Sequence, residues 1–175
     1  MKKAIIASVI ALGMGAGVAS AAPNANAGTL DLNFEGTVST TTCALDLDSK
    51  NIPLGQTNPN TKGVDVEIVF KPTPASLASC QAGTTDFVMQ WEGKGSSFTS
   101  EGLSAASGEA HDAHVQISAT NAKVNNNTMA TTEKFQYEFD KDKVVGEGLK
   151  YKVALMGGPT VGDMKAAAVV NHWYK

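Results

Sequence analysis

His111-Asp112-Ala113-His114 is the one cluster in the chain whose residue types suggest a metal site or a catalytic base. On a strand, residues three apart point to opposite faces, so the two imidazoles would not converge and a third ligand would have to come from elsewhere. The cluster reads instead as a polar loop leading into a strand. No G-x-S-x-G, H-E-x-x-H or P-loop pattern occurs. Gly93-Lys94-Gly95-Ser96-Ser97 lacks the glycine spacing of a P-loop and reads as a hairpin tip. The carboxylates fall mostly at alternating, solvent-facing positions, and no two pair for acid–base work. A small secreted enzyme therefore fails for lack of a site, and no cofactor or metal is expected. Asn126-Asn127-Thr128 is formally a glycosylation acceptor, a signal that would carry no weight if the host were bacterial.

Two cysteines remain, Cys43 and Cys80, without a C-x-x-C pair. Their reading depends on compartment. Lys2 and Lys3 precede an apolar, small-residue run from Ala4 to Val18, and Ala19-Ser20-Ala21-Ala22 offers a cleavage site. This is the pattern of a secretory signal peptide over residues 1–22, with Ala21 and Ala27 as alternative cleavage points. Export favours a single disulfide over free thiols or metal ligands. Closing that loop of about 38 residues is worth roughly 4 kcal/mol in the loop-entropy model.

All 14 basic residues are lysine, the net charge is -3, and removing Lys2 and Lys3 makes it -5. Arginine is the usual fork for phosphate and for guanine edges, so its absence argues against nucleic acid. After the leader no apolar run is long enough to span a bilayer, so no membrane insertion is expected. The remaining chain of about 153 residues suits one domain.

The elements are strands. Residues 23–28 are too small and polar to fold alone. Leu30, Leu32 and Phe34 then alternate with Asp31, Asn33 and Glu35, a half-buried strand. The same period-two pattern recurs at Val64–Phe70, Phe87–Trp91, His114–Thr120, Phe135–Phe139 and Leu149–Leu155, with a long last strand from Met164 to Tyr174. Ile52-Pro53-Leu54-Gly55 reads as a short edge segment and Gly93–Gly108 as a Gly/Ser-rich loop with weak strand signals at Phe98. About eight strands, no convincing helix and one disulfide predict an all-β sandwich. Trp91, Trp173 and Tyr137 could stack on a sugar, although aromatics at alternating strand positions usually belong to a core.

Both ends of the chain resemble a known family. Gly28-Thr29-Leu30-Asp31-Leu32-Asn33-Phe34-Glu35-Gly36-Thr37-Val38 is similar to the start of the chaperone–usher pilins, the subunits of bacterial fimbriae, with a two-residue insertion before Phe34. Cys43-Ala44-Leu45-Asp46 matches the C-x-φ-D that follows (φ apolar), and Cys80 comes after Lys71-Pro72-Thr73-Pro74 at about the family spacing. Tyr174 is penultimate and Gly162 is fourteenth from the end, both features of pilins. The chain resembles enterobacterial major fimbrial subunits in particular.

The resemblance implies an immunoglobulin-like β-sandwich that lacks its last strand, over residues 34–175, completed by a donor strand from another subunit. Residues 23–33 would be the donor extension, with Asn26, Gly28, Leu30, Leu32 and Phe34 entering the neighbour's groove. Asn26 in the terminal pocket departs from the family in detail and would slow subunit exchange. The groove edge would be Gly162, Met164, Ala166, Ala168, Val170, His172 and Tyr174, ending at Lys175. A periplasmic chaperone would fill that groove first and grip the carboxylate of Lys175, and an outer-membrane usher would assemble the fibre. The expected partners are thus identical or related pilin subunits, chaperone and usher. The expected location is an extracellular fimbrium reached through the periplasm, supporting adhesion to host surfaces. The alternative is a subunit that itself binds a host glycan.

Overall fold

A computed structural model describes residues 43–175. The expected leader, the donor extension with Asn26, Gly28, Leu30, Leu32 and Phe34, and the motif residues up to Val38 lie outside the described residues.

In chain order the elements are β1 (Leu45–Asp46), β2 (Val66–Pro72), α1 (Leu77–Gln81), β3 (Phe87–Gly93), β4 (Phe98–Thr99), β5 (Gly102–Ser104), β6 (His114–Ala119), β7 (Gln136–Phe139), α2 (Lys141–Val145), β8 (Leu149–Met156) and β9 (Ala168–Tyr174). One sheet runs β1-β2-β8-β6-β5-β4 and the other β7-β3-β9, with every pairing antiparallel. The period-two pattern explains the arrangement. In β6, Val115, Ile117 and Ala119 are buried while His114, Gln116 and Ser118 are half-exposed. In β2, Ile68 and Phe70 are buried, and the strand ends at Pro72, which cannot extend the ladder.

The core lies between the sheets. Tyr151 of β8 meets Trp91 of β3 and Tyr137 and Phe139 of β7 edge-to-face, at ring separations of 5.3, 5.4 and 5.7 Å. Aromatic pairs prefer this geometry because the positive ring edge meets the negative face of its neighbour. The Tyr151 hydroxyl reaches the Met89 sulfur at 3.6 Å. Burial pushes the phenols of Tyr137 and Tyr151 up, so both stay neutral.

The structure differs from the sequence reading at four places. Two helices form where none was expected, α1 and α2. Each has five residues, too few to show a 3.6-residue period, and each buries one apolar side, Cys80 and Val144. The segment at Ile52–Gly55 is not a strand, yet Ile52 and Leu54 still pack on the core. The expected loop 93–108 contains the β4–β5 hairpin, whose first strand falls at the weak signal of Phe98, and Val64 lies outside β2 with 80% of its surface exposed.

Candidate assembly site: the open edge of the C-terminal strand

The cysteines fix one end of the site. Cys43 and Cys80 form a disulfide, with Cα atoms 4.6 Å apart. The Ser76 hydroxyl, buried at the start of α1, donates to the Ala44 carbonyl at 2.6 Å and holds the helix against the Cys43 segment.

The last strand lies beside this tie. The expected continuous strand from Met164 to Tyr174 is shorter, because the chain changes partner within it. Lys165 exchanges backbone bonds with Ser107 and accepts a further one from the Ala106 N–H, and the Ala167 carbonyl accepts from Lys94 at 2.9 Å. From Ala168 to Tyr174 the partner is β3. Gly162 makes the turn into this segment with φ at +142°, and a Cβ there would lie 2.5 Å from the Glu109 side chain. Only glycine meets both conditions at low cost.

The register defines which backbone groups are free. Lys94 donates to Ala167 and Lys175 donates to Asp86, so these are directly bonded pairs of the antiparallel ladder. Such pairs alternate along a strand. Val169, Asn171 and Trp173 therefore turn their N–H and C=O groups toward β3. Ala168, Val170, His172 and Tyr174 turn theirs away from it. On that outward side β9 has no strand neighbour among the described residues.

The same even-numbered residues face inward with their side chains. Met164, Ala166, Ala168, Val170, His172 and Tyr174 are each half-buried, whereas the odd-numbered residues between them are exposed. Phe87, Met89 and Trp91 on the adjacent β3 are buried. Among the described residues, the edge thus combines backbone without a strand partner and partly covered apolar side chains. A cleft of about 1040 Å³ continues it, between residues 50–59 on one side and residues 160–166 on the other, with Gly162, Met164 and Ala166 among its lining. The 50–59 wall was not recognised in the sequence, where its burial alternates without a strand ladder.

Two inward side chains tie β9 to the disulfide. His172 Nε2 lies 2.8 Å from the Cys43 carbonyl oxygen, and the Tyr174 hydroxyl donates to the Cys80 carbonyl. The Tyr174 ring stands edge-on to Phe87 at 4.9 Å and fills the space that Gly83 leaves by having no Cβ. Burial pushes its phenol up. Lys175 reaches Glu138 at 3.0 Å.

At the far end, Asp112 Oδ2 accepts from the Thr160 backbone N–H at 3.2 Å and from its hydroxyl at 2.7 Å, pinning the loop that leads to Gly162. These bonds, the hydroxyl's first, hold the Asp112 carboxyl below its ordinary value.

The other residues singled out from the sequence disperse. His111 Nδ1 lies 2.9 Å from the Glu109 carbonyl oxygen, and His114 lies 3.6 Å from Glu101. Among the described residues no group of three His, Cys, Asp or Glu side chains could hold a metal ion, and no helix is long and apolar enough to cross a membrane. Trp91 and Tyr137 are core residues, whereas Trp173 is 41% exposed.

A two-sheet, disulfide-tied sandwich whose final strand has one edge without a strand neighbour among the described residues belongs to the class of sheets that can accept a strand from another chain. Comparison with known proteins supports that class. The chain is 30% identical over 182 residues to the F107 fimbrial protein of Escherichia coli, covering all of both chains. It is 29% identical over 147 residues to the K99 fimbrial protein of Escherichia coli, covering 78% of this chain and 77% of that one. The crystal structure of the P pilus rod subunit PapA matches with a TM-score of 0.53 at 13% identity, covering 83% of this chain and all of that one. That last likeness concerns the fold, an immunoglobulin-like sandwich. No family model matches the sequence. The chain belongs to the fimbrial proteins, and it is a structural subunit of a pilus.

Proposed function

We propose that this subunit polymerises head to tail by donor-strand complementation. The observation that carries the proposal is the outer edge of β9, where the outward N–H and C=O groups and the half-buried side chains belong to the same residues, Ala168, Val170, His172 and Tyr174. A strand laid along this edge would pair the backbone and cover the side chains together, which is β-augmentation. Left open, such an edge is an aggregation hazard.

The donor in this reading is residues 23–33 of a neighbouring copy, exposed once a leader of residues 1–22 is removed, with residues 34–175 as the pilin domain. Leu30, Leu32 and Phe34 have the period-two spacing of the inward β9 residues, and Gly28 and Asn26 continue it toward the terminus. A head-to-tail contact that does not close generates a filament. Before assembly a periplasmic chaperone would cover the edge and bind the terminal carboxylate of Lys175, and an outer-membrane usher would exchange it for the donor. The assembled fimbrium would support adhesion to host surfaces, with a scaffold rather than a catalytic role for this chain.

Deleting residues 23–33 tests this reading. The truncated subunit should fold and bind chaperone yet form no fibres by electron microscopy. Normal fibres from the truncated chain would refute the donor assignment. Recognition of a host glycan by the subunit itself is a second reading, favoured by the exposed indole of Trp173.

A further inference from the structure

The two ends of the sandwich carry most of the large apolar side chains that the described residues leave exposed. We infer that these ends are mating surfaces between successive copies, the Val161 loop of one subunit seating on the α1–α2 shelf of the next; this rests on the head-to-tail order proposed above and adds a contact separate from the β9 edge.

β8 sets the two ends apart. α2 leads into its start and the loop 157–163 leaves its finish, so its eight residues, at about 3.4 Å each, put roughly 25 Å between them. Val161 is 73% exposed on that loop. A single exposed valine needs no explanation on a slack loop, but this loop is pinned on both sides. Thr160 is bonded twice to Asp112, and the Asp163 carbonyl accepts from the Ala110 N–H at 3.2 Å. The apolar tip is thus held in place before any contact forms, so seating it orders little that was free. Val64, the most exposed of the large apolar residues described, precedes β2 at the same end, because Val66 pairs with Val153 in the second half of β8.

At the other end α1 and α2 pack against each other. Each buries one side chain, Cys80 and Val144, and each turns another outward, Leu77 at 42% and Val145 at 36% exposure. The charges of the two ends are opposite. Loops 106–112 and 157–163 hold Glu109, Asp112 and Asp163, with His111 and no lysine; Lys165 lies two residues beyond Asp163, and Lys50 stands on the far wall of the cleft. α1 is uncharged, whereas α2 and its exit hold Lys141, Lys143 and Lys150 against Asp142 and Glu147. Lys71 adds a fourth cation, its Cγ 3.2 Å from where a Cβ on Gly148 would lie. Beside this shelf Lys123 is shared between Asp86 and Asp140. Like ends would meet acid to acid or lysine to lysine, so the charges favour unlike ends. A contact between two different patches of one chain propagates instead of closing.

The test is cross-linking of fimbriae assembled from subunits with two new thiols, Val161→Cys paired with Val145→Cys or with Leu77→Cys. Both native cysteines are held in the disulfide. Within one chain the new thiols lie roughly 25 Å apart, beyond a short bis-maleimide. That reagent should give a ladder of covalent multimers on denaturing gels from at least one pair, and no more than dimers from single-thiol subunits. Monomers alone from both pairs, in fibres of normal appearance, would overturn the inference. Charge reversal replaces the thiols if those variants fail to assemble. Fibres of Asp163→Lys should dissociate in urea several-fold faster than the parent, and Asp163→Lys/Lys141→Glu should recover most of the loss. Equal rates in all three would overturn the inference as well. The donor reading stands or falls apart from this. A ladder from the chain lacking residues 23–33 would uphold the end contact and refute the donor. Fibre loss on that deletion, beside full-length fibres that give no ladder, would uphold the donor and refute the end contact.

Discussion

The phenol of Tyr174, on the last strand, donates its hydrogen bond to the carbonyl of Cys80, on the helix that carries the disulfide. With His172 against the Cys43 carbonyl, the final turn of β9 is tied to both halves of the disulfide at once. The strand whose outer edge has no strand neighbour among the described residues is thereby anchored by its own inward side chains.

Tyr174→Phe keeps the ring against Phe87 and removes only the hydrogen bond. It should cost about 1 kcal/mol, read as a lowered denaturation midpoint. Gly83→Ala should cost more, about 1–3 kcal/mol, because the new methyl would lie 2.1 Å from the Tyr174 ring. In the double variant Gly83→Ala/Tyr174→Ala the methyl has room, so the two costs should fall short of additive.

Replacing both cysteines by serine should lower stability by about 2–5 kcal/mol, measured by denaturant unfolding. The loss should come with faster exchange of the β9 amides, since the carbonyls that anchor His172 and Tyr174 lie on the segments the disulfide joins. Equal exchange of β9 in both proteins would show that the anchors do not depend on the disulfide.

Proline substitution distinguishes the two sides of β9. Val170→Pro removes an outward N–H and leaves the β3 ladder intact, a position where edge strands tolerate proline. It should give a folded subunit that assembles poorly. Val169→Pro removes a ladder bond to β3 and should destabilise the subunit by about 1 kcal/mol or more. Circular dichroism and fibre yield together separate the two effects.

The pH dependence has a defined sign. Hydrogen bonds from Lys143, then Lys150, hold the Glu147 carboxyl down to about 2. A carboxylate with a depressed folded pKa stabilises the fold above its ordinary titration range, and that contribution is lost as pH falls through the ordinary range toward about 2. Asp112 behaves alike through its bonds from Thr160. Glu147→Gln and Asp112→Asn should each flatten the acid limb of the stability profile and leave the region near neutrality shallow, as measured by thermal unfolding across pH.

Much of this was legible in the sequence because strands with one buried face write themselves as alternation. The burial of Phe87, Met89, Trp91, Val115, Ile117, Tyr137, Phe139, Tyr151 and Val153 follows directly. The alternation from Met164 to Tyr174 also places every side chain on its observed side. What alternation does not encode is the partner. The switch from Ser107 to β3 between Lys165 and Ala168 depends on contacts remote in sequence, as does the wall at residues 50–59. The single-turn helices escaped because five residues cannot display a helical period. The exposure of Trp173 beside the burial of Trp91 was likewise open until the register fixed which face each one joins.

Residue-resolved hydrogen exchange tests the central claim most directly. A peptide of residues 23–38 would be added to the subunit lacking residues 23–33, and the β9 amides followed. Donor pairing at this edge predicts new protection of Ala168, Val170, His172 and Tyr174, with Val169, Asn171 and Trp173 already protected by β3 in the absence of peptide. No change at the four outward amides, or protection appearing equally at all seven, would contradict it.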